Sequence, residues 1–284
     1  MKNILVTGGS GKAGRATINL LKEKKFNVFN VDLNNHPDLD VPFTKINLED
    51  FGETIETVSE IDDRINGIDA VIHQAAIPAS GLEANHKTFK SNTLTTYNIF
   101  QASKIMKINN IVWASSETVL GLPFDTYPPY VPVDEEYDSR PESSYSLSKV
   151  MGEEMAKQFC RRNPDMKIFG LRYSNIMEEE DYKDFQDFQN DPFIRKWNFW
   201  GYIDARDVAQ ACLLALESDL KGADNFIIAA NDTVMKEDNK ILLDKVFPNI
   251  NIKGDISKNI TLLSIAKAKK ILGFLPKHSW KDFL

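Results

Sequence analysis

Ile4, Leu5 and Val6 form an unbroken apolar run within Asn3 to Thr7, closed by Gly8-Gly9. A short run without polar alternation predicts a strand buried on both faces. From Lys12 to Lys24 the period changes, and Ala13, Ala16, Thr17, Leu20 and Leu21 form the inner face of a predicted helix. The same alternation recurs along the chain. Strands are predicted at Asn27 to Val31, Phe43 to Asn47, Asp69 to His73, Asn110 to Ala114, Met166 to Arg172 and Phe226 to Ala229. Helices are predicted from about Asp50 to Arg64, and at His86 to Met106, Ser144 to Arg161, Asp204 to Leu216, Lys236 to Val246 and Leu262 to Leu272.

Strands and helices in this order imply an α/β fold, a Rossmann-type doubly wound, mostly parallel sheet covered on both faces. Residues 1–175, completed by 201–230, are expected to form the sheet domain. Residues 176–200 and 231–284 are expected to form a small C-terminal lobe over one sheet edge, with the cleft at the carboxyl ends of the strands. The Pro- and Tyr-rich stretch after Ser116 is too long for a simple connector and is expected to cover something.

Composition narrows the function. With 42% apolar and 26% charged residues over 284 positions, the chain is neither disordered nor fibrous. Forty-one acids against 34 bases give a net charge of −7, which disfavours nucleic acid and an anionic membrane surface as partners. The first apolar run is too short for a signal-peptide core, and no segment reaches the ~18 apolar residues of a membrane span, so a cytoplasmic protein is expected. Cys160 and Cys212 lie in apolar helical stretches and read as buried thiols rather than a disulfide. His36, His73, His86 and His278 are too scattered to suggest a metal site, and His73 reads as a structural hydrogen-bonding group.

The loop Thr7-Gly8-Gly9-Ser10-Gly11-Lys12-Ala13-Gly14 joins the first strand to the first helix. Gly8 permits a tight turn, Gly11 lets the backbone approach a pyrophosphate at the helix N-terminus, and Gly14 lets the helix pack close to the sheet. Asp32 follows at the end of the second strand, where a carboxylate accepts from both adenosine ribose hydroxyls and repels a 2′-phosphate, favouring NAD over NADP. Lys12 and Arg15 suit the pyrophosphate better than the ribose. Gly11-Lys12 is followed by Ala13 rather than Ser or Thr, so the loop is not a Walker A motif.

Tyr145 and Lys149 are four residues apart on a predicted helix and share one face. A cation beside a phenol favours phenolate, which would bring Tyr145 toward acid/base work near neutrality. Lys149 also reaches for the nicotinamide ribose, and Ser116 is placed to donate to the same substrate oxygen. Together the three suit hydride transfer between an alcohol and a carbonyl.

The set Thr7-Gly8-x-x-Gly11-x-x-Gly14, Asp32, His73-Gln74-Ala75-Ala76, Asn92, Ser115-Ser116, Tyr145-Ser146-Leu147-Ser148-Lys149 and Arg172-Tyr173-Ser174-Asn175 resembles the extended short-chain dehydrogenase/reductase family, the NAD-dependent epimerase/dehydratase group. The resemblance continues through Gly201-Tyr202-Ile203-Asp204-Ala205-Arg206-Asp207-Val208-Ala209 and Leu272-Gly273-Phe274-Leu275-Pro276. It implies an NAD lying across the strand ends past Ala75 and Ala76, with Ser116, Tyr145 and Lys149 as the catalytic trio. Asn92 belongs by resemblance to the active-site framework around the cofactor, and Asn175 approaches nicotinamide or substrate. Asn47, with Leu48 beside it, stands where relatives often carry an Asp facing the adenine. The family also implies a homodimer through helices 86–106 and 144–161.

Departures from the pattern bear on the reaction. Glu117-Thr118 replaces the acid arrangement of family dehydratases, and Glu117 reads as a solvated loop acid. Leu120 stands where many relatives have Tyr. Only 25 residues separate Asn175 from Gly201, which is short for a nucleotide-diphosphate grip. Arg195 and Lys196 are candidates for such a grip, yet Glu178, Glu179, Glu180, Asp181, Asp184, Asp187 and Asp191 crowd the same segment or form a solvated rim. Arg172 and Arg206 are candidate carboxylate binders or structural ion pairs, Arg206 with Asp207 nearby. Phe185, Phe188, Phe193, Trp197, Phe199, Trp200 and Tyr202 read as the lobe's core. Hydride transfer at a secondary alcohol or ketone of a sugar or sugar acid is therefore expected. A nucleotide-sugar epimerase and a non-catalytic NAD-binding regulator are the alternatives.

Overall fold

The computed structural model describes residues 2–60 and 67–283. The predicted strands are realised as β1 (Asn3–Thr7), β2 (Asn27–Asp32), β3 (Phe43–Lys45), β4 (Ala70–His73), β5 (Asn110–Ser116) and β6 (Lys167–Tyr173). Two short strands follow, β7 (Ile176–Met177) and β8 (Ile203–Asp204), and then β9 (Gly222–Ile228). All but β7 and β8 form one parallel seven-stranded sheet in the order β3-β2-β1-β4-β5-β6-β9, while β7 and β8 pair with each other. Between β1 and β4 the strand order reverses direction, and a doubly wound sheet opens its binding crevice there.

The helices are α1 (Lys12–Glu23), α2 (Phe51–Ser59), α3 (Asn85–Ile105), α4 (Ser144–Arg162), α5 (Phe185–Phe188), α6 (Ala205–Glu217), α7 (Asn239–Val246) and α8 (Ala266–Leu272). Two hydrophobic cores lie on the two faces of the sheet. One joins Ile18 and Leu21 of α1 to Val208 and Cys212 of α6, and the other joins Val58 of α2 to Ile99 and Phe100 of α3 and Phe159 of α4. Both cysteines are buried and free. No described helix is long and apolar enough to cross a membrane.

Several boundaries move for identifiable reasons. The buried face of α1 consists of Gly14, Thr17, Ile18 and Leu21, so Ile18 belongs to it while Ala16 stays at its margin. β5 runs two residues further than predicted and carries Ser115 and Ser116 in extended form beside Arg172 and Tyr173 of β6. α2 is capped by the Asp50 side chain, which accepts from Glu53 N, and residues 61–64 of its predicted span lie outside the described residues. α7 starts at Asn239 because the Asp238 side chain caps it. Leu262 and Leu263 are not helical. Leu262 O accepts from Val133 N, and Leu263 bridges to Val133, so the long loop after β5 is fastened to the tail.

The aromatic cluster is mostly core. Phe124 of the long loop meets Phe199 at 4.4 Å between ring centroids, and Phe199 meets Phe247 at 4.7 Å. Phe185, Trp200 and Tyr202 are also fully buried. Phe193 departs from the expectation, with 49% of its surface exposed, and Trp197 stands on the wall of the main cavity.

Candidate active site

A cavity of about 990 Å³ runs along the carboxyl ends of β1, β2, β4, β5 and β6. Its nucleotide end is built largely from main chain. Gly8 has φ +70°, and a Cβ there would stand 2.4 Å from Ala75 N, so the turn and the strand-four loop touch directly. A Cβ on Gly14 would stand 2.3 Å from Gly8 O, which is how closely α1 rests on the turn. Gly11 is the N-cap of α1 and supplies no side-chain cap, leaving the first N–H groups of the helix without a capping side chain beside the cavity. Orphan N–H groups at the positive end of a helix suit a pyrophosphate. Asp32 is fixed at the end of β2, accepting from Ser10 N at 3.1 Å and Leu33 N at 2.7 Å. Lys12, Ala13, Asn47, Leu48, Ala75 and Ala76 also line this half. The residues present fit an NAD laid from Asp32 toward β5.

Two expectations at this end change. Lys12 Nζ is bound by Asp181 at 2.5 Å and Arg15 Nη2 by Glu178 at 2.6 Å, so acids of the segment after β7 hold the cations expected at the pyrophosphate. Those acids are therefore more than a solvated rim. Asn92, expected at the cofactor, is not on the cavity wall. Its amide accepts from Ile77 N at 2.8 Å and donates to Ile77 O at 3.1 Å, which positions the loop carrying Ala75 and Ala76.

The reacting end is assembled from side chains. Ser116 Oγ accepts from Thr118 N at 3.2 Å and Thr118 Oγ1 at 3.0 Å, an orientation the sequence reading missed. Ser143 and Ser146 form a reciprocal capping box that starts α4 just before Tyr145. Tyr145 and Lys149 are buried, and the Lys149 ammonium donates to Ala114 O at 2.8 Å while standing 5.6 Å from the Tyr145 ring centroid. Ser116, Tyr145, Lys149 and Asn175 all line the cavity.

The expected phenolate does not follow from this geometry. Burial pushes the Tyr145 phenol up to about 12, with the Ser116 hydrogen bond opposing and the Glu117 charge reinforcing the rise. Burial also pushes the Lys149 ammonium down to about 8. Desolvation of both groups outweighs their proximity.

Glu117 is the main correction, because it is 3% exposed rather than solvated. Ser174 Oγ donates to its Oε2 at 2.6 Å and Asn198 Nδ2 to its Oε1 at 3.1 Å. Burial raises this carboxyl to about 7, opposed by the Ser174 and Asn198 hydrogen bonds and by the Arg195 charge. Ser174 and Trp197 line the cavity and Asn198 stands behind it; the sequence marks Ser174 only within the family motif and Trp197 only within the lobe's aromatic cluster, and leaves Asn198 unmarked. The available signal was the apolar pair Val119-Leu120 directly after Glu117-Thr118, which opposes a solvated turn there and is buried in the structure.

The arginines are committed elsewhere. Arg172 forms a buried two-pronged pair with Glu153, Nε to Oε1 at 2.8 Å and Nη2 to Oε2 at 2.7 Å. Arg206 pairs with Asp204 and Glu179, not with Asp207, which instead accepts from Lys277 N and His278 N of the tail. His73 is buried against Thr7 Oγ1 at 2.7 Å and is pushed down to about 3 by burial and then by Lys149, a neutral structural group.

Residues 4–229 match the model of the NAD dependent epimerase/dehydratase family. A putative UDP-glucose 4-epimerase of Methanocaldococcus jannaschii is 32% identical over 62% of this chain and 56% of its own length. The chain thus spans about half the length of the first curated relatives it matches. An L-arabinose 1-dehydrogenase (NAD(P)(+)) of Haloferax volcanii is 26% identical over 82% of this chain and 90% of its own length. In fold, the chain is similar to a UDP-glucose 4-epimerase of Thermotoga maritima crystallised with UDP-glucose, at TM-score 0.74 and 23% identity, covering 99% of this chain and 95% of that one. The parallel sheet, the glycine turn with Asp32, and the family match over most of the sequence agree: this chain belongs to the NAD-dependent epimerase/dehydratase family.

Proposed function

We propose that the protein is an NAD-dependent oxidoreductase acting at a secondary alcohol or ketone of a sugar or sugar acid. The carrying observation is the convergence of Ser116, Tyr145 and Lys149 at one end of a cavity whose other end offers the α1 N-terminus and Asp32. In this reading residues 1–175 with 201–230 hold the cofactor, and 176–200 with 231–284 shape the substrate pocket. NAD, when bound, supplies the hydride acceptor at its nicotinamide ring. Tyr145 exchanges a proton with the substrate hydroxyl, and Ser116, oriented by Thr118, holds the same oxygen.

A phenol pushed up to about 12 keeps its proton at neutral pH, which suits it as the acid for carbonyl reduction. For alcohol oxidation it must first lose that proton. The Lys149 ammonium, pushed down to about 8 on the same helix face, supplies the charge that favours the loss. Exposed Tyr97 on α3 and Leu147 and Met151 on α4 support a homodimer through these helices.

A second reading, nucleotide-sugar epimerase, is favoured by the named relatives and by the neighbour holding UDP-glucose. Against it stands the short segment 176–200, whose Arg195 lies outside the cavity wall. Incubation with NAD and sugars or sugar acids is expected to accumulate NADH. Tyr145→Phe is expected to lower turnover by about 10³-fold while calorimetry still detects NAD binding. Isomerisation of a nucleotide sugar without net NADH would decide for the epimerase, and NAD binding with no turnover would decide for a regulator.

A further inference from the structure

Around the reacting end, charge is distributed unevenly. Among the described residues, the lysines on the cavity wall are Lys12 and Lys149, and no arginine lines it. Lys12 is already held by Asp181, and Lys149 is bound to Ala114 O beside Tyr145. Next to Ser116 the wall instead includes the acidic residue Glu117. Arg195, the cation nearest in charge to Glu117, stands behind that wall. Its guanidinium is packed between the rings of Phe188 and Trp197, 5.2 and 5.0 Å from their centroids, and its Nη2 donates to Gly201 O at 3.0 Å. Of this pair the acid, and not the base, therefore lines the cavity.

We infer that Glu117 is the specificity-determining residue of this site and selects an uncharged sugar over a sugar acid. The inference rests on the hydride-transfer reading above and narrows its substrate class. A carboxylate accepts hydrogen bonds from sugar hydroxyls, and in a buried setting it repels a second carboxylate far more than water would allow. Ser174 and Asn198 each hold one Glu117 oxygen and the Asn175 backbone adds a third hydrogen bond, which fixes the carboxyl and still leaves it lone-pair capacity to accept from a hydroxyl. Two charged or titratable groups act on Glu117: Arg195 from the lobe and Tyr145 from α4. Burial opposes the ionised form of Glu117, while the Ser174, Asn198 and Asn175 hydrogen bonds and the Arg195 charge favour it, and the balance brings the carboxyl to about 7. Above that pH Glu117 is charged and excludes an anionic substrate. Below it Glu117 is neutral and able to donate a hydrogen bond to one.

The test compares neutral pentoses and hexoses with uronic acids of matching configuration, and adds a UDP-hexose, following NADH from about pH 6 to about pH 8. The neutral sugars are expected to exceed the acids in kcat/KM by about tenfold or more at the alkaline end. The acids' KM is expected to fall as pH drops through about 7, with no matching step for the neutral sugars. Glu117→Gln is expected to remove that step and narrow the preference. Wild-type preference for the acids, or an unchanged preference in a folded Glu117→Gln protein, overturns the inference alone. Should Glu117→Gln fail to fold, the wild-type preference and its pH step still decide. NADH production from no compound, or isomerisation of the UDP-hexose without NADH, overturns the hydride-transfer reading and the inference with it.

Discussion

The two ends of the cavity are made of different materials. At the nucleotide end a turn, a helix terminus and one carboxylate define the wall, and their positions follow from backbone geometry within residues 7–32. At the reacting end the groups arrive from several elements: Ser116 at the end of β5 with Glu117 just after it, Tyr145 and Lys149 on α4, Ser174 and Asn175 after β6, Trp197 beyond them. The first end is therefore robust to side-chain change except where a Cβ would collide. In the second, chemistry and stability share the same buried polar groups, because an unpaired one costs more there than a lost contact on the surface.

The largest effect that sharpens this comparison is expected at Arg172. Glu153 accepts from Arg172 through both oxygens and also from Ser115 Oγ at 2.6 Å, so one buried carboxylate ties α4 to β5 and β6. Arg172→Leu strands that carboxylate. The expected loss is about 3–5 kcal/mol in denaturant unfolding, with the α4 groups Tyr145 and Lys149 losing their setting as well. The pair variant Arg172→Leu with Glu153→Leu is expected to be less destabilised than Arg172→Leu, since no charge is left buried. Equal destabilisation of the two would break the view that the pair's cost is electrostatic.

This division also explains what the sequence made legible. Several strands and helices were readable because both sheet faces are covered, so β1, β4 and β5 carry continuous apolar runs and α1 carries an apolar stripe. Gly8, Gly14 and Asp32 were readable because the backbone permits few alternatives at those positions. Glu117 was misread. Its burial depends on Ser174 and Asn198, which lie 57 and 81 residues further along, and no local pattern reports partners at that range. The acidic partners of Lys12 and Arg15 were illegible for the same reason, since Asp181 and Glu178 are over 160 residues away. The Tyr145 phenol was expected low because sequence spacing places a cation near it, but spacing carries no information on the burial that pushes it up.

An intermediate effect is expected at the nucleotide end, where one side chain can change without unfolding the site. Asp32 accepts from Ser10 N in a half-buried bond and from Leu33 N in an exposed one, and belongs to neither hydrophobic core. Asp32→Ser is expected to shift the ratio of kcat/KM for NADP over NAD upward by about tenfold, or ~1.4 kcal/mol, with little change in Tm. A comparable loss of Tm would place Asp32 with the entangled groups of the other end and blur the distinction drawn here.

The smallest effect tests the contact between the two halves. Glu178 and Asp181 hold Arg15 and Lys12 in partly exposed ion pairs, and such pairs contribute about 0–1 kcal/mol to stability. Their consequence for NAD is separate from stability. Two acids that hold Lys12 and Arg15 at the start of α1 are expected to repel a pyrophosphate bound there and to occupy the cations that would otherwise face it. Glu178→Gln with Asp181→Asn is therefore expected to leave Tm within a degree or two of wild type and to tighten NAD a few-fold at low ionic strength, read by calorimetry. In high salt the difference is expected to shrink, because screening removes repulsion between exposed charges before it affects the buried reacting end. Weaker NAD binding in the variant would show the opposite: that the acidic segment helps to shape the cofactor site, and that the nucleotide end also depends on partners far along the chain.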